Sequence, residues 1–390
     1  MLDGVNVALG VTGSIAAVRT VELAHELRRW GADVRAVMTD AASGIVHPWA
    51  LEFATGSPPV TALTGAVEHV ELCGRDGWAD VLLIAPATAN TVGKLAAAID
   101  DTPVTTTATT AIGAGLPLVI APAMHEPMYD HPTVAENLER LQSRHEAVVV
   151  PPRLEEGKAK IAAAEAIALG VARAVRSAPL AGRHVAVSAG ATAEAIDPIR
   201  VITTRASGRT GRAVAKGLYA LGAEVTLLQA DGDERAYAEV VPVETAEAMR
   251  EAAVDLADEV DAYVAAAAVS DFVPTPREEK IPSGAPLELT FEPTAKVIGA
   301  VRDVAPSLPI VGFKAETAAA DEALVDSARE LLAANDLAFV VANDASVMGA
   351  VDTRVLVVDR DDTEELAGSK RAVGLAVAER LAAELDSGTK

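Results

Sequence analysis

The chain starts the same local pattern twice, and this repetition limits its fold more than any other feature. A short apolar strand leads into a turn of small residues, a helix, a Gly-Ala-acid step and a second strand. The step is Gly31-Ala32-Asp33 in the first half and Gly222-Ala223-Glu224 in the second. Continuous apolar strands between amphipathic helices are typical of parallel sheets covered on both faces. We therefore predict an α/β chain of two doubly wound, Rossmann-like domains with parallel sheets.

The periodicity predicts five strands in the first half and six in the second. The first helix is expected over Ser14–Trp30. The predicted strands are Asn6–Val11, Val34–Met38, Ala79–Ala85, Leu116–Ala121, Ala147–Val150, His184–Ser188, Val225–Gln229, Tyr263–Ala268, Ile310–Phe313, Phe339–Ala342 and Val355–Val358.

Two segments interrupt this rhythm. Ser177–Gly182 reads SAPLAG and is the natural linker, so we expect domains at 1–178 and 179–390. Phe272–Pro293 carries five prolines among charges, which excludes a helix. Such a long loop is either plain surface or a flap over a site.

Composition excludes several classes of protein. Half of the 390 residues are hydrophobic, which supports two cores, but the formal net charge is −23. A nucleic-acid partner is not expected, because phosphate contacts need a basic face. Cys73 is the only cysteine, so no intrachain disulfide can form. The start lacks the pattern of a signal peptide, and no run approaches the ~20 apolar residues of a membrane span. We expect a cytoplasmic protein with no membrane partner.

Small and hydroxyl residues follow the predicted strands of the first half. Gly10–Ala16 comes between the first strand and the first helix, where free N–H groups and the helix dipole favour a phosphate. Thr12 and Ser14 can add hydroxyl donors there. Thr39, Ala85–Asn90 and Pro122–His125 follow other strands. Carboxyl ends of parallel strands share one edge, so these residues predict a ligand site at that edge.

A second phosphate-binding turn is expected at Ser207–Gly211, which opens a helix in the second half. Lys280 lies in the proline-rich loop, where its ammonium can reach a polyphosphate as a point charge.

Together these motifs resemble the family of bifunctional coenzyme A biosynthesis proteins, in an archaeal-type form. The resemblance runs from Asn6 to about Leu381. It rests on GVTGSIAA (10–17), HVEL (69–72), APATAN (85–90), PAM..MY (122–129), SAGAT with DPIR (188–200), SGRTG (207–211), AAAVSDF (266–272), EKI (279–281) and GFKAET (312–317).

The resemblance implies two activities. A flavodoxin-like first domain would be an FMN-dependent phosphopantothenoylcysteine decarboxylase that yields 4′-phosphopantetheine. The second would be a phosphopantothenate–cysteine ligase that activates 4′-phosphopantothenate as an acyl-nucleotide before cysteine attacks. The flavin would serve as a temporary hydride acceptor. CTP is the favoured nucleotide over ATP, with Mg²⁺ or Mn²⁺ beside it. Relatives form homo-oligomers through trimer contacts in the first domain and dimer contacts in the second.

The same resemblance implies roles for individual residues. His69 would be the essential decarboxylase histidine, a plausible base at neutral pH. Arg200 would bind the activated acyl group. The flavin site would comprise Thr12, Gly13, Ser14, Ile15, Thr39, Ala85, Pro86, Ala87, Thr88 and Asn90, with Met124 and Met128 on the substrate side. The nucleotide site would comprise Ser207, Gly208, Gly211, Ala267, Asp271, Lys280, Thr294, Ala295, Lys296 and Phe313.

The chain departs from the family pattern at four places. His125 replaces an asparagine, and Thr204 replaces another. The stretch Pro151–Lys160 lacks the cysteine of the bacterial substrate lid, so Lys158 or His125 is the candidate proton donor. An expected lysine pair is replaced by Leu331 and Asn335, for which Arg329 is the candidate substitute.

Two alternatives remain at this stage. One is another flavin-dependent cysteine decarboxylase, or a prenyl-flavin synthase-like enzyme, fused to a nucleotide-binding domain. The other is a non-catalytic flavoprotein that regulates a partner. The proline-rich loop with Lys280 opposes the first, and the intact His69 opposes the second. The metal ligands stay unassigned.

Overall fold

The computed structural model describes residues 1–284, 286–317, 320–344 and 352–387. The chain divides into two compact units, Met1–Ser177 and Ala178–Lys390, and each contains its own central sheet. In the ranges just given, every helix is too short or too polar to cross a bilayer.

The first unit is built on five parallel strands in the order β2-β1-β3-β4-β6. This is the flavodoxin arrangement, in which the order reverses between the first and third strands. A separate three-stranded antiparallel sheet follows β4. The strands are β1 (Asn6–Val11), β2 (Asp33–Met38), β3 (Val81–Ala87), β4 (Leu118–Pro122), β5 (Met124–His125), β6 (Val148–Val149), β7 (Arg153–Glu155) and β8 (Lys158–Lys160).

Helices cover both faces of this sheet, and β3 and β4 are buried at every residue. This burial explains why the strands are continuously apolar. The first helix is preceded by a 3-10 turn at Ile15–Arg19. The helices are α1 (Thr20–Arg29), α2 (Asp40–Ser43), α3 (Pro48–Thr55), α4 (Glu68–Cys73), α5 (Ala89–Ala97), α6 (Pro103–Ala114), α7 (Glu126–Tyr129), α8 (Pro132–His145) and α9 (Ala164–Val175).

The second unit has an eight-stranded sheet in the order β13-β12-β9-β14-β17-β18-β19-β20. The α/β fold is confirmed, but this sheet is not purely parallel as predicted. Its last two strands pair antiparallel, because the short link between them at Asp359–Asp362 permits only a hairpin. The strands are β9 (His184–Ser188), β10 (Ala193–Ala195), β11 (Val201–Thr203), β12 (Glu224–Gln229), β13 (Glu239–Pro242), β14 (Ala262–Ala265), β15 (Phe272–Pro274), β16 (Phe291–Pro293), β17 (Ile310–Glu316), β18 (Phe339–Asp344), β19 (Asp352–Val358) and β20 (Thr363–Ser369).

The helices of the second unit place two N-termini side by side. A Cβ at Gly374 would lie 2.4 Å from the Ala213 carbonyl carbon, and one at Gly217 would lie 2.9 Å from the Leu375 Cα. These glycines let α10 and α14 pack closely and in the same direction. The helices are α10 (Arg209–Ala220), α11 (Ala246–Leu256), α12 (Val297–Val304), α13 (Asp321–Asn335) and α14 (Lys370–Ser387).

The proline-rich segment is not helical where it is described. Its ends, β15 and β16, form an antiparallel pair that brackets a long loop. The predicted absence of a helix is therefore confirmed for this segment, apart from residue 285, which lies outside the described residues.

Candidate functional sites

Loops from three strands meet at the carboxyl edge of the first sheet. The Thr12 hydroxyl donates to the Pro86 carbonyl at 2.6 Å, which ties the turn after β1 to the end of β3. The Ser14 hydroxyl donates to the Ala123 carbonyl at 3.3 Å, and Ala123 N–H donates to the Ala87 carbonyl at 3.0 Å. The predicted residues Thr12–Ile15, Ala85–Asn90 and Met124 therefore lie at one edge.

The hydroxyl groups at this edge have partners within the protein. Thr12 is buried and its hydrogen is engaged by Pro86. Ser14, Thr39 and Thr88 cap helices by accepting backbone N–H groups. Both the Thr12 and the Ser14 hydroxyls donate to carbonyls here, so their role as donors to a ligand stays a prediction. The backbone N–H groups at the helix starts are the remaining donors for an anion.

Gly13 is required by a close approach. A Cβ at this position would lie 2.5 Å from the Ala41 Cβ, closer than side chains pack. The turn can thus lie against α2 only with glycine. Beside it, the Ile15 side chain is 78% exposed, and Met128 on α7 is 46% exposed. The edge therefore offers exposed apolar side chains next to a turn of small residues.

His69 lies on α4, the short helix before β3. Val60 pairs with the carboxyl end of β2, and Asp80 N–H donates to Asn6 at the start of β1. The chain therefore passes the carboxyl edge before α4 and returns to the opposite edge after it. His69 Nδ1 is buried without a hydrogen-bond partner. A ring nitrogen without a hydrogen-bond partner is available for proton transfer.

Contacts around α4 fix this histidine. The Arg35 guanidinium lies 3.5 Å from the Glu71 carboxylate and 4.4 Å from the centre of the Trp78 ring. Glu68 accepts from the Thr64 N–H at 2.9 Å, at the start of the helix. These residues tie both ends of α4, and of them only Glu71 lies in a motif quoted from the sequence.

The two candidate proton donors face each other. In the register of β5 and β8, His125 is directly opposite Lys158, and Met124 is opposite Ala159. Residues paired this way point to the same side of a sheet, with Cβ atoms about 5 Å apart. Cys73 is a poor substitute, because burial raises the pKa of its thiol to about 12.

The second unit contains a cavity of about 900 Å³ at the carboxyl edge of its sheet. Nine of the ten predicted nucleotide-binding residues line it, and Lys280 does not. The nine are Ser207, Gly208, Gly211, Ala267, Asp271, Thr294, Ala295, Lys296 and Phe313.

Cations dominate the ionisable groups of this cavity, although the chain as a whole is acidic. Arg205, Arg209, Lys296, Lys314 and Lys370 line it together with Asp271. Lys296 pairs with Asp271. Burial, with the nearby charge of Arg209, lowers the pKa of Lys370. Two like charges held together at two helix starts indicate an anion site.

The replaced lysine pair has a different substitute from the one expected. Leu331 and Asn335 do line the cavity, as their place in the family pattern suggests. Arg329, on the same helix, is exposed and is not among the cavity residues, so the expectation that it compensates is not supported. Lys314 and Lys370 lie in the cavity instead. The sequence signal for Lys370 was only a lysine at the start of an unpredicted helix.

Arg200 lies against the proline-rich loop rather than in the cavity. Its Nε donates to the Asp197 carboxylate at 2.9 Å, and its Nη2 donates to the Ile281 carbonyl at 2.5 Å. Among the described residues, neither Arg200 nor Thr204 lines the cavity. Acyl binding by Arg200 stays a prediction.

A preformed metal site is not seen in the described part of the chain, where no three His, Cys, Asp or Glu side chains converge. Asp271 is the one carboxylate that we find in the cavity wall. Mg²⁺ commonly binds through one or two carboxylates together with substrate phosphates. The site thus suits a cation that arrives with a nucleotide.

Comparison with known proteins covers both units. Residues 1–176 match the family model described as Flavoprotein. Residues 180–385 match the model described as DNA/pantothenate metabolism flavoprotein C-terminal domain. A solved C-terminal domain of a coenzyme A biosynthesis bifunctional protein CoaBC is 27% identical, with a TM-score of 0.46, and covers 54% of this chain and 100% of that one.

Two curated relatives align over nearly the whole chain. The coenzyme A biosynthesis bifunctional protein CoaBC of Thermococcus kodakarensis is 46% identical over 390 residues, 99% of this chain and 96% of the relative. The protein of that name from Methanocaldococcus jannaschii is 33% identical over 385 residues, 98% of this chain and 94% of the relative. The chain therefore belongs to the family of coenzyme A biosynthesis bifunctional proteins.

Proposed function

We propose that the second unit joins 4′-phosphopantothenate to cysteine with the help of CTP, and that the first unit decarboxylates the product with FMN. The observation that carries the proposal is the cation-lined cavity of the second unit, in a chain that also has a histidine with an unpartnered ring nitrogen. The match of residues 180–385 to the C-terminal model opposes fusion to an unrelated nucleotide-binding domain.

The ligase proposal rests on charge and shape. A triphosphate needs several cations, and five line a cavity in a chain of net charge −23. The turn Ser207–Gly211 opens α10 there, so its first N–H groups add to the attraction. Gly211 allows this approach, since a Cβ would lie 2.7 Å from the Ala189 Cβ. We infer that these groups hold the phosphates, with Mg²⁺ or Mn²⁺ between them.

The rest of the cavity suits the other parts of the substrates. Ala265–Ala268 at the end of β14 and Phe313 on β17 give a close, largely apolar wall. A base can lie flat against such small residues, while backbone groups read its edge. We favour CTP over ATP as the nucleotide, since the smaller base leaves room for pantothenate.

The decarboxylase proposal rests on the edge of the first sheet. The turn at Gly13 and the capped helices at Thr39 and Thr88 would hold the phosphate and ribityl chain of FMN, and Ile15 would contact its ring. Bound FMN supplies a reversible hydride acceptor, which a side chain cannot provide. His69 would take or hold the thiol proton of the substrate at its free ring nitrogen.

The stretch Pro151–Lys160, which corresponds to the substrate lid of the bacterial relatives, would complete this site. The hairpin β7–β8 turns at Glu156 and Gly157, both with positive φ, and pairs with β5. Lys160 is engaged by Glu155 and Glu156, each at 3.0 Å. Lys158 faces His125 and forms no such ion pair within the described part of the chain, which favours it as the proton donor. Lys158→Ala should then slow decarboxylation without affecting ligation.

Self-association is the expected state of both units. Trp49 and Phe53 on α3 are 75% and 78% exposed, and Val18 beside α1 is 54% exposed. In the second unit, Ile199 and Phe272 are 67% and 57% exposed. Clusters of large exposed apolar side chains indicate contact surfaces. We propose trimer contacts in the first unit and dimer contacts in the second.

Product mass after incubation with phosphopantothenate, cysteine, CTP and Mg²⁺ tests the proposal. 4′-phosphopantetheine is the expected product, with pyrophosphate released only when phosphopantothenate is present. Accumulation of the cysteine adduct alone would disprove the decarboxylase half. A colourless protein that releases no pyrophosphate would disprove both halves. Turnover with ATP but not with CTP would show that the proposed nucleotide is wrong and that the ligase uses ATP.

A further inference from the structure

A fully buried carboxylate lies in the turn between β10 and β11. The Asp197 side chain has no exposed surface and accepts four hydrogen bonds. Ile199 N–H and Arg200 N–H donate to Oδ1 at 2.9 Å each. Arg200 Nε at 2.9 Å and Ile281 N–H at 3.0 Å donate to Oδ2. The turn thus binds a residue 84 positions away in the sequence.

Ile281 is held by both of its backbone groups. Its N–H donates to Asp197, and its carbonyl accepts from Arg200 Nη2 at 2.5 Å. Its side chain is 8% exposed. Arg277 lies three residues before Lys280 in the loop, and its N–H donates to the Ile196 carbonyl at 3.0 Å. The loop is therefore docked on the turn on both sides of Lys280.

The arrangement depends on the charge of the carboxylate. Burial alone would raise the pKa of Asp197, but the hydrogen bonds, led by that from Ile281, hold it well below its usual range. Arg200 supplies the opposite charge. A neutral amide at this position has one acceptor oxygen and a donor nitrogen, so it cannot accept all four bonds.

We propose that Asp197 and Arg200 form a latch that fixes the backbone at Ile281 and so positions Lys280 for the nucleotide phosphates. The proposal rests on the nucleotide-binding function proposed for the cavity. The base of the loop already borders that cavity through Asp271 and Thr294. Lys280 is exposed beside the latched residue. With the backbone fixed, only its flexible side chain has to move. Asp197 and Arg200 are positioning residues in this scheme.

Limited trypsin digestion of the full chain tests the latch directly, because Arg277 and Lys280 are both tryptic sites. Cleavage needs local opening, so the wild-type chain should be cut slowly at these two sites. Asp197→Asn should speed cleavage there by ~10-fold or more. Arg200→Gln removes the guanidinium bonds to Asp197 and to the Ile281 carbonyl but leaves the bond from the Ile281 N–H to Asp197, so its effect should be smaller. Arg200→Lys should restore part of the protection.

Asp261→Asn is the matched control. Asp261 also accepts a backbone N–H, from His184 at 2.8 Å, and pairs with Arg183 at 2.8 Å. It is in the same unit but does not contact the loop. The control should leave cleavage at Arg277 and Lys280 unchanged. Equal acceleration in both aspartate variants, or rapid cleavage of the wild-type loop, would overturn the latch.

A double-mutant cycle tests whether the latch acts through Lys280. Asp197→Asn and Lys280→Met should each lower kcat/KM for CTP, and the double variant should be no worse than Lys280→Met within ~2-fold. If the losses in kcat/KM of the two single variants multiplied in the double variant, the positioning role would be overturned. A higher kcat/KM for CTP in Asp197→Asn would overturn it as well. A protected loop in a wild-type chain that forms no pyrophosphate would refute the proposed function and the role of Lys280, but not the latch.

Discussion

The two units begin alike but present their phosphate-binding turns in different surroundings. At the edge of the first sheet, the hydroxyls of Thr12 and Ser14 donate to carbonyls of neighbouring loops, and apolar side chains such as Ile15 are exposed. At the edge of the second sheet, Arg209 and Lys370 lie at the wall of a cavity of about 900 Å³. One edge offers shape and apolar surface, and the other offers charge.

This difference matches the ligands proposed for them. A flavin is a large flat ring with one phosphate, so stacking surface counts for more than charge. A nucleoside triphosphate with a second phosphorylated substrate brings many negative charges, which a cavity rich in cations attracts. A common strand-turn-helix start thus sets where a ligand binds, while the surrounding side chains set which ligand binds.

The substitution with the largest expected effect should impair the activity of the first unit and spare that of the second. His69→Gln should lower decarboxylation by ~100-fold or more, because it removes the proton carrier while leaving the flavin edge intact. Ligation should continue, so the cysteine adduct should accumulate, as measured by product mass. His145→Gln, at the exposed end of α8, is the control and should behave as wild type. Normal phosphopantetheine output from His69→Gln would break the proposed division of labour.

A pair of glycine substitutions should inactivate one unit at a time. Gly13→Ala places a Cβ 2.5 Å from Ala41, and Gly211→Ala places one 2.7 Å from Ala189. Overpacking of this kind costs about 1–3 kcal/mol and displaces the turn. Flavin absorbance should fall only in Gly13→Ala, and CTP binding by calorimetry should weaken only in Gly211→Ala.

The controls for this pair are glycines with open space around them. A Cβ at Gly113 in α6 or at Gly299 in α12 meets nothing within 4 Å. Both alanine variants should keep both activities and melt at or slightly above the wild-type temperature. Loss of flavin in Gly211→Ala, or of CTP binding in Gly13→Ala, would show that the turns do not serve separate ligands.

The local start of each unit was predictable because its cause is local. Gly31 and Gly222 have φ values of 99° and 100°, a conformation that favours glycine, and both were recognised from the Gly-Ala-acid step. Strands such as Asn6–Val11 and His184–Ser188 begin and end as predicted, since their apolar pattern is strong.

Other elements were missed because tertiary packing forms them. The threonine-rich α6 has weak helix propensity and little amphipathic pattern, yet it packs against α4 and is capped at Thr102. Lys370 enters the cavity from an element distant in sequence from the motifs, and Arg200 contacts Ile281. A motif names residues near one another in the chain, so it could not reveal these contacts.

A moderate effect should distinguish the cations of the cavity from those outside it. Lys370→Met should raise the KM for CTP by ~10-fold, equivalent to about 1.4 kcal/mol, with kcat little changed. Arg329→Met is the matched control, because Arg329 is exposed on α13, and its KM should not change. The loss in Lys370→Met should also shrink at high salt, where screening weakens charge attraction. Equal effects in the two variants would mean that net charge, and not position, matters.

The smallest effect concerns pH and the buried Asp197. Because the folded protein lowers the pKa of this carboxyl, its stabilising contribution is present above the unfolded pKa of about 3.9 and is lost as the pH falls through the folded value. Hydrogen exchange at the Ile281 N–H, corrected for intrinsic rates, should therefore show constant protection between about pH 5 and 8 and weaker protection only in stronger acid. Asp197→Asn should show low protection throughout, while Asp261→Asn should follow the wild type. A loss of protection between pH 5 and 7 would mean that a group other than Asp197 holds the loop, because the Asp197 carboxylate stays ionised over that range.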